Sequence, residues 1–182
     1  MRPLEVPGIL PCAGGVLLRP FTDADVAMLC DLATDPYLPL IGSLPANADE
    51  QQASDFIGRQ HTRWDTGVGY SFCIADVASG AALGTAGLWL GGLDQGRASA
   101  GYSVAPSARG RGVAARALQA LTIFGWSRPD LFRIELYIEP ANLGSVRTAE
   151  AVGYAREGLL RSHQVIGGRR VDMLLYARLR PA

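Results

Sequence analysis

Apolar and polar positions along this chain change their period partway through. Over residues 22–64 the apolar side chains recur at helical spacing. Val26, Leu29 and Cys30 share one segment, and Phe56, Ile57 and Trp64, with Gln60, share the face of the next. Thr22 or Asp23 reads as the N-cap of a first helix ending near Ala33, before Asp35-Pro36. Asn47 or Asp49 caps a second that runs to about Trp64. Pro36, Pro39, Gly42 and Pro45 interrupt the chain between them, so Tyr37–Ala46 is expected to be a loop able to line a cleft.

From Tyr70 the pattern becomes extended. Val16–Pro20 reads as a short strand. Tyr70–Asp76, Leu83 to about Leu90, and Arg97–Val104 read as three neighbouring antiparallel strands. Their connections are the Ala78-Ser-Gly80 turn and the glycine-rich run Gly91–Gly96. A helix Val113–Trp126, a strand Phe132–Ile138, a helix Asn142–Val152 and a strand Tyr154–Val165 follow. Gly167-Gly168 then turns the chain into a last strand, Val171–Leu179. This order predicts one mixed α/β (α+β) domain over residues 16–182, with no internal repeat or linker. Pro3, Pro7 and Pro11 break residues 1–15 and Glu5 lies among them, which predicts a flexible lead-in rather than a secretory signal.

Composition narrows this little. The 182 residues suit one domain with a proper core, and 17 basic residues balance 17 acidic ones. That balance offers no case for nucleic acid or an anionic membrane as partner. No apolar stretch is long enough for a transmembrane helix. Cys12, Cys30 and Cys73 fit neither a disulfide framework nor a zinc pattern, which points to reduced, buried thiols and a cytoplasmic location.

Chemistry concentrates in Val104–Ala115. A strand ends there, Pro106 turns the chain, and Arg109-Gly110-Arg111-Gly112 opens a helix beginning Val113-Ala114-Ala115. Unpaired amides and the positive end of the helix dipole make such a terminus a phosphate site. A metal-dependent P-loop needs a lysine followed by Ser or Thr, and both are missing. A dinucleotide fingerprint would lie between parallel strands, and this loop follows antiparallel ones.

Arg109, Gly112 and Ala114, spaced Arg-x-x-Gly-x-Ala after Tyr102-Ser103-Val104, resemble the acyl-CoA motif of the GNAT acetyltransferase superfamily. The resemblance spans about residues 16–179. It includes Val16–Pro20 with Asp23-Ala-Asp25, Gly80–Gly84 with Gly87, Arg133–Leu136, and Asn142-Leu-Gly-Ser145. Val152-Gly-Tyr154 with Glu157-Gly158, and Gly168 with Asp172, complete it, and the whole looks most like the RimJ/RimL branch. What it implies is a sheet of about six to seven mostly antiparallel strands flanked by about four helices. Two strands splay apart there to admit the pantetheine arm of acetyl-CoA, with no metal. The implied reaction is acetyl transfer to a primary amine, either a peptide N-terminus or a small molecule. This branch also often forms homodimers.

The implied cofactor-binding residues are Tyr102, Ser103, Val104, Arg109, Gly110, Arg111, Gly112, Val113, Ala114, Ala115, Asn142 and Ser145. Many relatives carry a tyrosine acid seven residues after the asparagine, where this chain has Ala149. The RimL-like branch uses the serine at the position of Ser145 instead, which makes Ser145 the expected partner of the leaving sulfur. Asn142 reads both as a helix cap and as a contact to the pantetheine arm. The glutamate that many relatives place five residues before the asparagine is Tyr137 here, and another common glutamate is Ser99. Glu135 is therefore the first candidate base and Glu139 the second, with a surface carboxylate as the plain alternative for either. Arg161 and Asp172 are placed to pair across the last hairpin. A longer acyl donor, such as succinyl-CoA, and a non-catalytic acyl-CoA-binding module stay open as alternatives.

Overall fold

A computed structural model describes residues 3–181. One eight-stranded sheet runs in the order β1-β2-β3-β4-β5-β6-β8-β7. Its strands are β1 (Cys12–Ala13), β2 (Val16–Arg19), β3 (Gly69–Asp76), β4 (Ala82–Gly92), β5 (Arg97–Val104), β6 (Arg133–Ile138), β7 (Ala155–Ile166) and β8 (Arg169–Leu179). The helices are α1 (Val26–Leu32), the single turn α2 (Leu38–Ile41), α3 (Glu50–Asp65), α4 (Val113–Trp126) and α5 (Leu143–Ala151). Neighbouring strands are antiparallel except β5 and β6, which are parallel. The mixed α/β fold agrees with the sequence, with one strand and one helical turn more than expected.

The extra strand lies in the stretch read as a flexible lead-in. Cys12 pairs with Leu17, the Leu18 N–H donates to Pro11 O at 2.8 Å, and the Leu4 N–H donates to Trp64 O at 2.8 Å. Leu4 and Pro11–Ala13 are thus held by partners elsewhere in the chain, while residues 1, 2 and 182 lie outside the described residues. Cys12 is exposed rather than buried. The extra helix, α2, occupies the stretch read as loop.

Caps explain where the long helices begin. Asp49 accepts from the Gln52 N–H at 2.8 Å while the Gln52 side chain accepts from the Asp49 N–H at 3.0 Å. Phe56, Ile57, Gln60 and Trp64 are buried, as their spacing predicts. Helix α4 covers the opposite face of the sheet with Ala117, Leu118 and Leu121, all without exposed surface. Gly125 lets it approach β6, since a Cβ there would lie 2.7 Å from Ile134 Cδ1.

A second core joins α1 and α3 to the chain after β5. Ala105 and Ala108 are buried within it beside Leu29, Leu32 and Phe56, which anchors the start of the glycine-rich loop. Arg19 grips Asp25 at the entry to α1 with two bonds of 2.7 and 2.8 Å, and Asp25 is 1% exposed.

The last hairpin departs from its expected pairing. The register slips between Leu160 and Gln164, and Ser162 takes a positive φ of 52°. Asp172 accepts from the Ser162 N–H at 2.7 Å, so it secures this bulge rather than pairing with Arg161. Strand β7 is an edge strand, exposed along nearly all its length, with Leu159 and Val165 among its exposed apolar residues.

Candidate active site

The loop before α4 is shaped by glycine and held from behind. Gly110 and Gly112 sit at φ 76° and 70°, where a side chain is disfavoured, and a Cβ on either would meet nothing. Both positions are therefore constrained by backbone angle and leave open space above the chain. Gly112 caps α4 without a side-chain bond, so the N–H groups of Val113, Ala114 and Ala115 begin the helix uncapped. Asp31 accepts from the Ser107 N–H at 3.2 Å and its hydroxyl at 2.6 Å. Arg116 donates to Arg111 O at 2.6 Å and to Gly14 O at 3.0 Å.

The two loop arginines part company. Arg109 lines the cavity beside the loop, but its guanidinium is paired with Asp35 and its Nε donates to Val104 O at 3.0 Å. Arg111 does not line that cavity and donates instead to Ser107 O at 2.6 Å. The structure thus does not bring Arg111 to the expected phosphate position. Arg147, with Thr148, lines the cavity from α5. Gly144, Arg147, Thr148 and Ala151 follow i+3, i+4, i+7 spacing on one stripe of α5, with Ser145 beside it, so helical spacing from Gly144 would have found Arg147.

β5 and β6 pair only over Arg97–Ser99 and Arg133–Glu135, then diverge. The Ala105 N–H donates to Leu83 O on β4, so by strand alternation the N–H groups of Val104 and Tyr102 face the gap toward β6. A cavity of about 840 Å³ runs from the loop along Tyr102, Ser103 and Val104. A second, of about 270 Å³, lies between the sheet and α1, α2 and α3. The two share eight lining residues: Tyr37, Tyr102, Ser103, Glu139, Asn142 and Ser145, with Leu38 and Ile41. Except for Arg111, every residue expected to hold the cofactor lines the larger cavity.

Polar groups converge at this junction. The Tyr37 hydroxyl donates to Glu139 Oε2 at 3.0 Å. Burial, then the Glu139 carboxylate, pushes the Tyr37 phenol up to about 12, so it stays a donor. Asn142 caps α5 by accepting from the Ser145 N–H at 3.1 Å through Oδ1, which leaves its Nδ2 to donate into the cleft. Because that cap uses only the Ser145 backbone, the serine hydroxyl is free of it. The Tyr102 hydroxyl makes a long 3.4 Å bond to Ser145 O, and burial raises its phenol.

Glu135 is not brought to the junction. It lines neither cavity, and its carboxylate takes Arg133 Nε at 2.6 Å and the Tyr137 hydroxyl at 2.9 Å. Arg133 also pairs with Glu157, which ties the group to the last hairpin. Alternation puts Glu135, Tyr137 and Glu139 on one face, but only the last two line the cleft. His163 stacks on Tyr137 with centroids 5.2 Å apart. The other end of the smaller cavity holds Gln60, Ser71, Trp89 and Arg63, none of which the sequence singled out as site residues. Among the described residues, no group of three His, Cys, Asp or Glu side chains is placed to hold a metal. No helix among them is long and apolar enough to cross a membrane.

Comparison with known proteins agrees with this geometry. A family model described as an acetyltransferase (GNAT) domain matches residues 16–155. The chain is 30% identical over 158 residues to an uncharacterized N-acetyltransferase, p20, of Bacillus licheniformis, covering 87% of this chain and 88% of that protein. Mycobacterium smegmatis RimJ, solved with a CoA-disulfide, superposes with a TM-score of 0.80 at 26% identity. The match covers 98% of this chain and 90% of that one. RimL, a ribosomal L7/L12 alpha-N-protein acetyltransferase solved with coenzyme A, superposes with a TM-score of 0.79 at 20% identity. It covers 94% of this chain and 97% of RimL, a likeness of fold.

Proposed function

This chain belongs to the GNAT acetyltransferase family, in its RimJ/RimL-like branch, and we propose on that footing that it acetylates a primary amine from acetyl-CoA by direct attack, with both bound together. The observation that carries the reading is the pair of joined cavities. One begins at the open amides of α4, the other continues beyond the β5–β6 gap, and both share the polar junction. The glycine loop and uncapped helix suit a pyrophosphate, and the unpaired edge of β5 suits an extended pantetheine arm.

Bound acetyl-CoA supplies the thioester: the amine nitrogen bonds its carbonyl carbon and the C–S bond breaks. The sulfur keeps the electron pair and gains a proton, and the nitrogen gives one up. The Val104 N–H, facing the gap, stabilises the negative charge that gathers on the carbonyl oxygen. Glu139 receives the amine proton, directly or through one water, and Tyr37 holds its carboxylate in place. Ser145 donates toward the departing sulfur, and Asn142 Nδ2 orients the arm. Arg147 and the α4 amides hold phosphate.

Thiol release from acetyl-CoA with a panel of primary amines, beside calorimetric binding of coenzyme A, tests this. Release that depends on an amine is expected. Tight coenzyme A binding with no release from any amine would overturn catalysis and leave an acyl-CoA-binding module.

A further inference from the structure

The acceptor is chosen at the end of the smaller cavity that lies away from the acyl group, so this inference rests on the acetyl-transfer reading. Two charged side chains line that cavity, Glu139 and Arg63. Glu139 also lines the larger cavity and Arg63 does not, so the carboxylate stands at the junction and the guanidinium beyond it. Arg63 lies over the Trp89 indole, 5.9 Å from the ring centroid. Gly87 and Gly101 let that indole lie against the sheet, since a Cβ on them would come within 3.0 and 2.9 Å of its ring. A guanidinium stacked this way offers its N–H edge rather than its face to a ligand.

Among the described residues, no carboxylate pairs with Arg63. Burial and the nearby Arg59 charge both act against its protonated form, and no carboxylate offsets them. Arg59 itself does not line the cavity and donates to Ser43 O at 2.9 Å. The neighbouring Gln60 accepts the Ser71 hydroxyl through Oε1 at 2.9 Å. Its Nε2 gives one bond to Phe56 O at 3.1 Å and keeps a second hydrogen. The Gln60 amide and the Arg63 guanidinium at this end therefore present donors.

A Cβ on Gly167, at the tip of the β7–β8 hairpin, would lie 3.4 Å from Leu40 Cδ1, so the hairpin tip rests on α2. A volume of about 270 Å³ suits a small molecule rather than a long chain. We propose that the acceptor is a small amine that also bears a carboxylate, an amino acid or close analogue, with its amine at Glu139 and its carboxylate on Arg63. One unpaired guanidinium matches the single charge and fork geometry of a carboxylate, whereas a phosphate dianion would leave a charge unmatched.

The test measures thiol release from acetyl-CoA by the whole chain, with α- and ω-amino acids and the carboxamide of each. Aminoalkyl phosphonates and short peptides complete the panel. At least one acid should exceed its own carboxamide about tenfold or more in kcat/KM, the scale of a charged hydrogen-bonded pair. Arg63→Gln should collapse that ratio by raising KM for the acid, and Arg63→Lys should restore part of it. Unchanged coenzyme A affinity in Arg63→Gln checks that the variant is folded, since Arg63 does not line the larger cavity. Equal rates for acid and carboxamide overturn the inference, as does a preference that survives Arg63→Gln. Faster turnover of phosphonates or peptides overturns it too, while leaving acetyl transfer standing. Absence of release with every amine overturns the acetyl-transfer reading itself.

Discussion

The phenol of Tyr37 donates to Glu139 Oε2 at 3.0 Å, joining the stretch after α1 to the end of β6 across 102 positions of sequence. This bond aims the one carboxylate that lines both cavities. Glu139→Gln should lower kcat/KM by roughly 100-fold, the usual worth of a general base. Tyr37→Phe should cost about tenfold, one hydrogen bond to a charged group at the low end of its range. Since the phenol titrates only at about 12, no loss of rate traceable to Tyr37 should occur between pH 7 and pH 10. Steady-state kinetics of both variants over that range measure this. An unchanged rate in Glu139→Gln removes Glu139 as the base.

Ser145→Ala is a clean test of the sulfur partner. The α5 cap uses the serine backbone N–H and the Asn142 side chain, so removing the hydroxyl leaves the cap intact. Thermal stability should therefore hold while kcat falls roughly 100-fold at unaltered coenzyme A affinity. A wild-type kcat means that the sulfur is protonated by another group, such as Tyr102 or water.

The arginines separate phosphate binding from loop bracing. Arg147→Gln should weaken coenzyme A by about 1 kcal/mol, or roughly fivefold in Kd, and flatten the dependence of Kd on salt. Arg111→Gln removes only a brace to Ser107 O, so it should leave the salt dependence as it was. Gly112→Asp forces a side chain into a φ of 70° and puts a carboxylate where phosphate should lie. Coenzyme A binding should then fall at least tenfold. Calorimetry at two ionic strengths distinguishes all three.

Acid should weaken the fold partly through Asp25. Burial raises its carboxyl, but the Arg19 guanidinium and the Thr22 N–H outweigh that and hold it below the ordinary value. The unfolded chain therefore binds the proton first. The stabilisation is complete above about pH 4 and lost as pH falls through the lower folded value. Asp25→Asn should flatten that acid limb and cost about 3 kcal/mol at pH 7 by stranding Arg19. Denaturant melts from pH 2 to pH 7 report both effects. An acid limb as steep as wild type in Asp25→Asn assigns it to other carboxylates, with Asp35 and Glu157 also held low.

Signals that lie within a few residues of one another were readable in advance. The bounds of β5 and α4 coincide with their expected ones, because alternation, a proline stop and a glycine entry are local features. Asn142 was legible as a cap for the same reason. Strand β1 was not, since its two residues, Cys12 and Ala13, are too few to carry a strand pattern. The bulge at Ser162 was hidden because Asp172 lies ten positions away on the other strand.

By itself, then, the sequence determined the order of elements, the glycine-shaped helix entrance and the asparagine-capped serine, all consequences of backbone angles and periodicity. Tertiary structure alone decided which like residues take part. Glu135 and Glu139 share one face, and the point where β6 leaves β5 puts one among arginines and the other in the cleft. Arg109, Arg111, Arg147 and Arg63 are chemically equivalent, and only the carboxylates and carbonyls that reach each one separate brace from binder. Charge and hydrogen-bonding capacity are written in the residue, but whether they are already satisfied depends on distant chain folded against it.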